Sequence, residues 1–174
     1  MLHTALTGDK EKAMFPLHTI LHPTDFSEPA ECAFAFACSL ARDHGARLVV
    51  LHVDRPPAGH DAVLAHRRPE DYEQPLWHLL CRFQAQDPSV EVEHRLAEGD
   101  PAAEILRAAR EESCDLIVMG TQGRTGLARL IMGSVAETVA RQAPCPVLTV
   151  KAAPERPLQP CVPSDAHECG SATR

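Results

Sequence analysis

Two apolar runs set the limits on what this chain can fold into. Residues 47–53 (RLVVLHV) and 115–119 (DLIVM) are almost continuously apolar, partly β-branched, and too short for buried helices. Strands of this kind have no polar side, so both faces need cover, as in a parallel sheet flanked by helices. Three more segments read as strands. Residues 17–22 (LHTILH) come first and residues 146–150 (PVLTV, Pro146 to Val150) last. Between them residues 90–96 alternate, with Val90, Val92, His94 and Leu96 on one side and Glu91, Glu93 and Arg95 on the other, as expected of an edge strand with one wet face.

The intervening segments carry helical signals. Residues 23–27 (PTDFS) form a turn in which Ser27 is placed to cap a helix running to about His44. Ala33, Phe34, Ala37, Leu40 and Ala41 give that helix its apolar stripe, Phe36 falls at the stripe's margin, and Gly45 sits at the C-terminal stop. Residues 54–69 hold three prolines and a glycine and read as a loop. A helix follows from about Pro75, in its first turn, through Gln86, the alternative being Pro75 as a kink inside it, with Trp77 as a packing residue. Asp100-Pro101 reads as an N-cap with proline at the first helical position, opening a helix to about Glu112. A last helix is expected from Ser134 to about Gln142. The order β-α-β-α-β-α-β-α-β implies right-handed crossovers and an α/β fold with an open parallel sheet.

This places one domain over residues 15–151, a loose leader over 1–14 and a proline-rich, extended tail over 152–174, where Pro154, Pro157, Pro160 and Pro163 recur at every third residue. The net charge of −7 argues against a nucleic-acid partner, which requires clustered Lys and Arg. No stretch is long and apolar enough to span a membrane, and the N-terminus lacks the apolar core of a secretory signal. Seven cysteines, an odd number with no CxxC pair, point to a reduced, cytoplasmic protein.

The chemistry concentrates in residues 120–139 (GTQGRTGLARLIMGSVAETV). Gly120 and Gly123 follow a buried strand, where open α/β sheets bind ligands, and Gly133-Ser134 opens a helix whose first N–H groups carry about half a positive charge. Arg124 and Arg129 face no acidic residue between Gly120 and Ala136, so the segment is +2 within an acidic chain. That combination suits phosphate oxygens, with Thr121 and Ser134 as hydroxyl donors and Arg124 as a phosphate contact. Neither GxxxxGK[ST] nor GxGxxG is present; the spacing is G-x2-G-x9-G-[ST].

With HTILHPTDFSEPA at the first strand, VEHRLAEGDPAAEIL at the third and APCPVLTV at the last, this motif resembles the ATP-binding branch of the universal stress protein family over roughly residues 15–151. The resemblance implies a three-layer, Rossmann-like fold of the adenine nucleotide alpha-hydrolase type, with strand order 3-2-1-4-5. It also implies a homodimer paired through the last strand, and ATP or AMP, with Mg2+ as a companion ion, held across the strand ends. By motif position Pro23, Thr24, Asp25 and Val53 would border the adenosine. Met119, Gly120, Thr121 and Gln122 would lead to the phosphates, and Gly123, Arg124, Gly133, Ser134 and Val135 would surround them.

The family resemblance implies a stress-responsive regulator with at most slow ATP hydrolysis, and no catalytic residue is assigned. The alternatives are a weak ATPase or phosphoryl- or adenylyl-transferring enzyme, and a dimerisation module that binds no nucleotide. His18, His22 and His52 are read as packed residues rather than metal ligands, although His22 is placed to alter the pocket floor. Cys145, between two prolines, reads as packed. Cys161, His167 and Cys169 have the side chains for a metal but no scaffold around them, so no metal site is expected.

Overall fold

The computed structural model describes residues 16–55, 69–121 and 132–151, the side chains of residues 69–73 excepted. The expected leader and tail lie outside the described residues. The elements are β1 (Thr19–Thr24), α1 (Glu28–His44), β2 (Arg47–Asp54), α2 (Pro69–Leu80), β3 (Val92–Glu98), α3 (Pro101–Glu111), β4 (Leu116–Gly120), α4 (Ser134–Gln142) and β5 (Val147–Val150). All strand pairs are parallel, in the order β3-β2-β1-β4-β5. No described helix is long and apolar enough to cross a membrane.

Period-2 alternation on the central strands builds two cores. Ile20, Leu48, Val50 and Val118 pack with the alanines of α1 and with Leu80 and Phe83. Leu21, Val49, Leu51, Ile117 and Met119 pack on the other side with α3 and α4. Helix α1 meets the sheet through Ala30, Ala33, Ala37 and Ala41, all buried. So small a seam brings the backbones close: a Cβ on Gly120 would lie 3.0 Å from the Pro29 carbonyl carbon and 3.1 Å from Pro29 Cβ. Gly120 is therefore glycine for packing, whatever ligand it also faces.

Local signals account for most boundaries. The Asp100 side chain accepts the Ala103 N–H at 3.0 Å with Pro101 at the first helical position, and Gly45 ends α1 in the left-handed region at φ 67°. Four expectations need correction. Pro23 and Thr24 belong to β1 rather than to the turn. Helix α2 begins at Pro69 and carries Pro75 inside it, on an exposed position where the missing N–H costs least. It ends at Leu80 rather than Gln86, because the turn at 81–83 delivers Phe83 into the core, where His94 Nε2 donates to its carbonyl at 2.8 Å. Strand β3 starts at Val92, and its polar side is covered by ion pairs: Arg47 bridges Glu93 and Glu112, and Glu112 also holds Arg95. Phe36, placed at the margin of the stripe, is 56% exposed, and Trp77 is 43% exposed with its ring edge against His94.

The seam between β1 and β4 is built differently from its neighbours. Its ladder holds only Ile20↔Leu116 and Leu21↔Ile117, whereas β1–β2 and β2–β3 pair along their lengths. At the lower end the Asp115 carboxylate accepts the N–H groups of His18 (2.7 Å) and Thr19 (3.0 Å), which hold its pKa below the usual range. The upper end follows from backbone parity. Arg47 N–H donates to the His18 carbonyl and Asp115 N–H to the Thr19 carbonyl, so odd-numbered residues of β1 face β4. Ile117 N–H donates to Pro146, which turns Val118 toward β1. The register then sets position 23 to donate to the Val118 carbonyl, and position 23 is a proline without an N–H. His22 supplies the bond instead, with Nδ1 2.8 Å from that carbonyl oxygen. A carbonyl only accepts, so Nδ1 carries the hydrogen and Nε2 is bare.

Three predictions follow from these contacts. Gly120→Ala should destabilise the fold by roughly 1–3 kcal/mol through overpacking against α1, read as a lower denaturant midpoint at constant m; an unchanged midpoint contradicts the close approach. Asp100→Ala should cost about 1 kcal/mol as a lost cap in the same assay, and no change there would mean the cap contributes nothing. His22 is fully buried, and desolvation outweighs the Val118 bond and the Asp25 charge to push its pKa from 6.5 down to about 4. An unfolded chain takes up this proton near pH 6.5 and the folded one only near pH 4. Stability should therefore be full above pH 6.5 and fall by about 3 kcal/mol as pH drops through that window. His22→Phe should remove this part of the slope in denaturation curves across the window, and an identical slope in the variant contradicts the assignment.

Candidate functional site

A cleft of about 430 Å³ opens at the C-terminal ends of β2, β1 and β4, closed at the sides by the first turns of α3 and α4. This is where the strand order reverses, since β2 and β4 leave β1 in opposite directions, and it is the crevice in which open α/β sheets take ligands. A second recess of about 430 Å³ lies by Asp54, Trp77 and Glu98 between α2 and the ends of β2 and β3. Among the described residues that recess is lined by neither a glycine nor a helix N-terminus, so the first cleft is the candidate.

The floor of the cleft comes from the strands. Leu51 and Val53 on β2, Pro23 and Thr24 on β1, and Met119 and Gly120 on β4 reach it because these alternate positions share the α3/α4 side or lie at the strand tips. Beyond Thr24 the chain turns sharply. Phe26 sits at φ 63°, in the left-handed region that a bulky side chain rarely adopts. The turn is held by Thr24 Oγ1, which accepts the Phe26 N–H at 3.1 Å, and by Asp25 Oδ1, which accepts the Ser27 N–H at 3.2 Å and the Ser27 hydroxyl. Ser27 occupies the cap position of α1, but its hydroxyl goes to Asp25 and makes no cap bond. Behind the turn the Phe26 ring stacks at 4.2 Å on His52, whose Nδ1 donates to the Thr24 carbonyl at 2.8 Å.

The opposite wall is the start of α4. Gly133 is its N-cap residue and brings no side chain to cap it. The N–H groups of Thr121 and Gly133 are committed, to the carbonyls of Val150 (2.9 Å) and Thr121 (2.8 Å) respectively. The first-turn N–H groups of Ser134, Val135 and Ala136 have no intrahelical acceptor and face the cleft with the positive end of the helix dipole. This backbone wall lies across the cleft from Val53 of β2, with Met119 of β4 between them.

Of the residues expected to bind, Pro23, Thr24, Asp25, Val53, Met119, Gly120, Thr121, Gly133, Ser134 and Val135 come together here. Gln122, Gly123 and Arg124 lie outside the described residues. His22 is not part of the floor: its side chain points to the α1/α2 side, against Phe34 (5.6 Å) and Phe83 (6.0 Å). Leu51, Arg55, Pro101, Ile105 and Ala136 also line the cleft without having been expected there. Arg55 was legible as a cation just past a strand end; Pro101 and Ile105 enter from α3, whose start the Asp100-Pro101 cap marked without assigning it to a site. His22 and His52 are packed residues, as expected, whereas His18 lies exposed before β1. Cys145 is half-buried, and burial raises its thiol pKa.

A model of the universal stress protein family matches residues 16–151. A universal stress protein of Methanocaldococcus jannaschii, MJ0531, is 34% identical over 139 residues, covering 76% of this chain and 81% of its own. A universal stress protein of Thermus aquaticus, encoded in the 3' region of a QAH/OAS sulfhydrylase gene, is 38% identical over 140 residues, covering 76% of this chain and 98% of its own. Among solved structures, a universal stress protein in complex with cAMP superposes with a TM-score of 0.60 at 25% identity, covering 79% of this chain and 99% of that one. One from Archaeoglobus fulgidus in complex with dAMP gives 0.54 at 25% identity, covering 79% and 100%. The family match runs through all five strands and both walls of the cleft: this chain belongs to the universal stress protein family.

Proposed function

We propose that this protein binds an adenine nucleotide, ATP or AMP, in the cleft at the strand tips and acts as a nucleotide-dependent regulator rather than an efficient catalyst. The observation that carries the reading is the cleft itself: about 430 Å³, with apolar walls at Leu51, Val53 and Met119 and, at the α4 end, first-turn N–H groups without an intrahelical acceptor. That polarity matches a nucleotide, with a base that tolerates apolar walls and a phosphate that seeks backbone donors. The related structures holding cAMP and dAMP support the same ligand class.

In this reading Pro23, Thr24, Asp25, Val53 and Met119 border the adenosine. Gly120, Thr121, Gln122, Gly123 and Arg124 lead toward the phosphates, with or without Mg2+. Ser134 and Val135, beside Gly133, hold the phosphates. Asp25 already accepts two hydrogen bonds from Ser27, which favours a positioning role over that of a general base. Strand β5 is an edge, and its Leu148 is 38% exposed. A second copy pairing there would cover the edge and give the homodimer. A reducing cytoplasm goes with the reading, and the five described cysteines carry free thiols.

A thermal-shift titration with ATP, AMP and GTP, with and without Mg2+, tests the ligand. At a hundredfold excess over Kd, binding stabilises by about 2.7 kcal/mol, or roughly 5–10 °C for a chain of this size. No shift with any adenine nucleotide contradicts the proposal. Ser134→Pro tests the phosphate end, because proline fits the first helical position and deletes one N–H. AMP affinity should fall roughly tenfold, the worth of one hydrogen bond to a charged group, while adenosine affinity holds. Equal losses for both would place the phosphate elsewhere.

A further inference from the structure

Among the described residues, one buried polar side-chain atom without a hydrogen-bond partner lies directly behind the cleft. His22 Nε2 is buried without a hydrogen-bond partner, while Nδ1 closes the β1–β4 seam on the Val118 carbonyl. Beyond His22 and Val118 the two strands run straight into the cleft: Pro23, Thr24 and Asp25 on one side, Met119, Gly120 and Thr121 on the other. The crevice therefore opens at the point where the ladder loses its backbone donor and one side-chain bond stands in for it.

We propose that His22 is a positioning residue of the nucleotide cleft: its Nδ1–H replaces the N–H that Pro23 lacks and fixes the spacing between the tips of β1 and β4 at which the nucleotide binds. The inference rests on the nucleotide reading above for its ligand, and on backbone geometry alone for the seam. Leucine at position 22 would fill part of the space but leave the Val118 carbonyl buried with no donor, a cost relieved by letting the strand tips separate. The neutral ring is the form that fits. The ring packs against Phe34 of α1 and Phe83 after α2, and the one charge acting on it is that of Asp25, just past β1. His52 and His94 are occupied by the carbonyls of Thr24 and Phe83, and burial raises the Cys38 thiol to about 11, so it stays uncharged.

The test is a cycle of His22→Leu and Pro23→Ala, because alanine at position 23 restores the missing backbone donor. Affinity for cAMP, whose phosphate keeps a single charge through neutral pH, is measured by calorimetry for the four proteins. Amide hydrogen exchange of Val118 and Gly120, the even-numbered positions of β4 whose N–H groups face β1, is followed without ligand. His22→Leu should bind cAMP at least tenfold more weakly and exchange faster at these amides. Adding Pro23→Ala should bring the double variant to within about threefold of Pro23→Ala alone, with exchange slowed again. Equal cAMP affinity for His22→Leu and the parent overturns the proposal, and so does a loss that Pro23→Ala fails to rescue, since His22 would then act through bulk alone. If His22→Leu does not fold, His22→Phe fills the aromatic pocket without a donor and takes its place in the cycle. Absence of binding of cAMP, AMP and ATP alike by the parent would remove the nucleotide reading and with it the ligand half of the proposal. The exchange rates would then still decide the seam: rescue by Pro23→Ala upholds the donor replacement, and unchanged rates refute it.

Discussion

The parallel seam between β1 and β4 is the constraint on which the rest of the structure depends. It is where the sheet changes direction, so both cores and both walls of the cleft meet along it. Its backbone ladder is short, and side chains complete it at each end: the Asp115 carboxylate on the N–H groups of His18 and Thr19, and the His22 imidazole on the Val118 carbonyl. Proline at position 23 is the reason the upper end needs help. The same proline sits in the wall of the cleft, so the residue that interrupts the ladder also shapes the site.

Acidity and anion binding coexist because they are built from different parts. The side chains give the protein a net charge of −7, which argues against long phosphate polymers as partners. In the proposed function the first turn of α4 would answer a single phosphate with backbone N–H groups and a helix dipole, neither of which enters a count of charged residues. Arg55 is the one cation among the described lining residues, and it stands at the β2 end, away from that turn. The division gives the cleft an anion end and a base end without a cluster of basic side chains.

Much of this was legible in the sequence, for physical reasons that differ by element. The runs at 47–53 and 115–119 could only be strands covered on both faces, and the order of strands and helices followed. Asp100-Pro101 and Gly45 marked helix ends because capping is local chemistry. The glycine spacing and Gly133-Ser134 marked the anion wall. What escaped was set by tertiary contact. Pro75 looked like a helix start because a mid-helix proline is disfavoured, yet exposure makes it tolerable there. Gly120 looked like a ligand glycine, and the backbone of Pro29 is what it avoids. His22 looked like pocket floor, because one strand position does not say which face it serves until the register is known. Pro101 and Ile105 reach the cleft only through the packing of α3 against the sheet.

The account's central claim is that a nucleotide lies across the strand tips with its phosphate at the start of α4. The most direct measurement is an amide NMR titration of the full chain with AMP. The largest shifts should fall on Thr24, Asp25, Val53, Met119 and Gly120 at the base end and on Ser134, Val135 and Ala136 at the phosphate end, while β3 and α2 stay silent. Shifts confined to the recess beside Trp77, or absent from the first turn of α4, would contradict it.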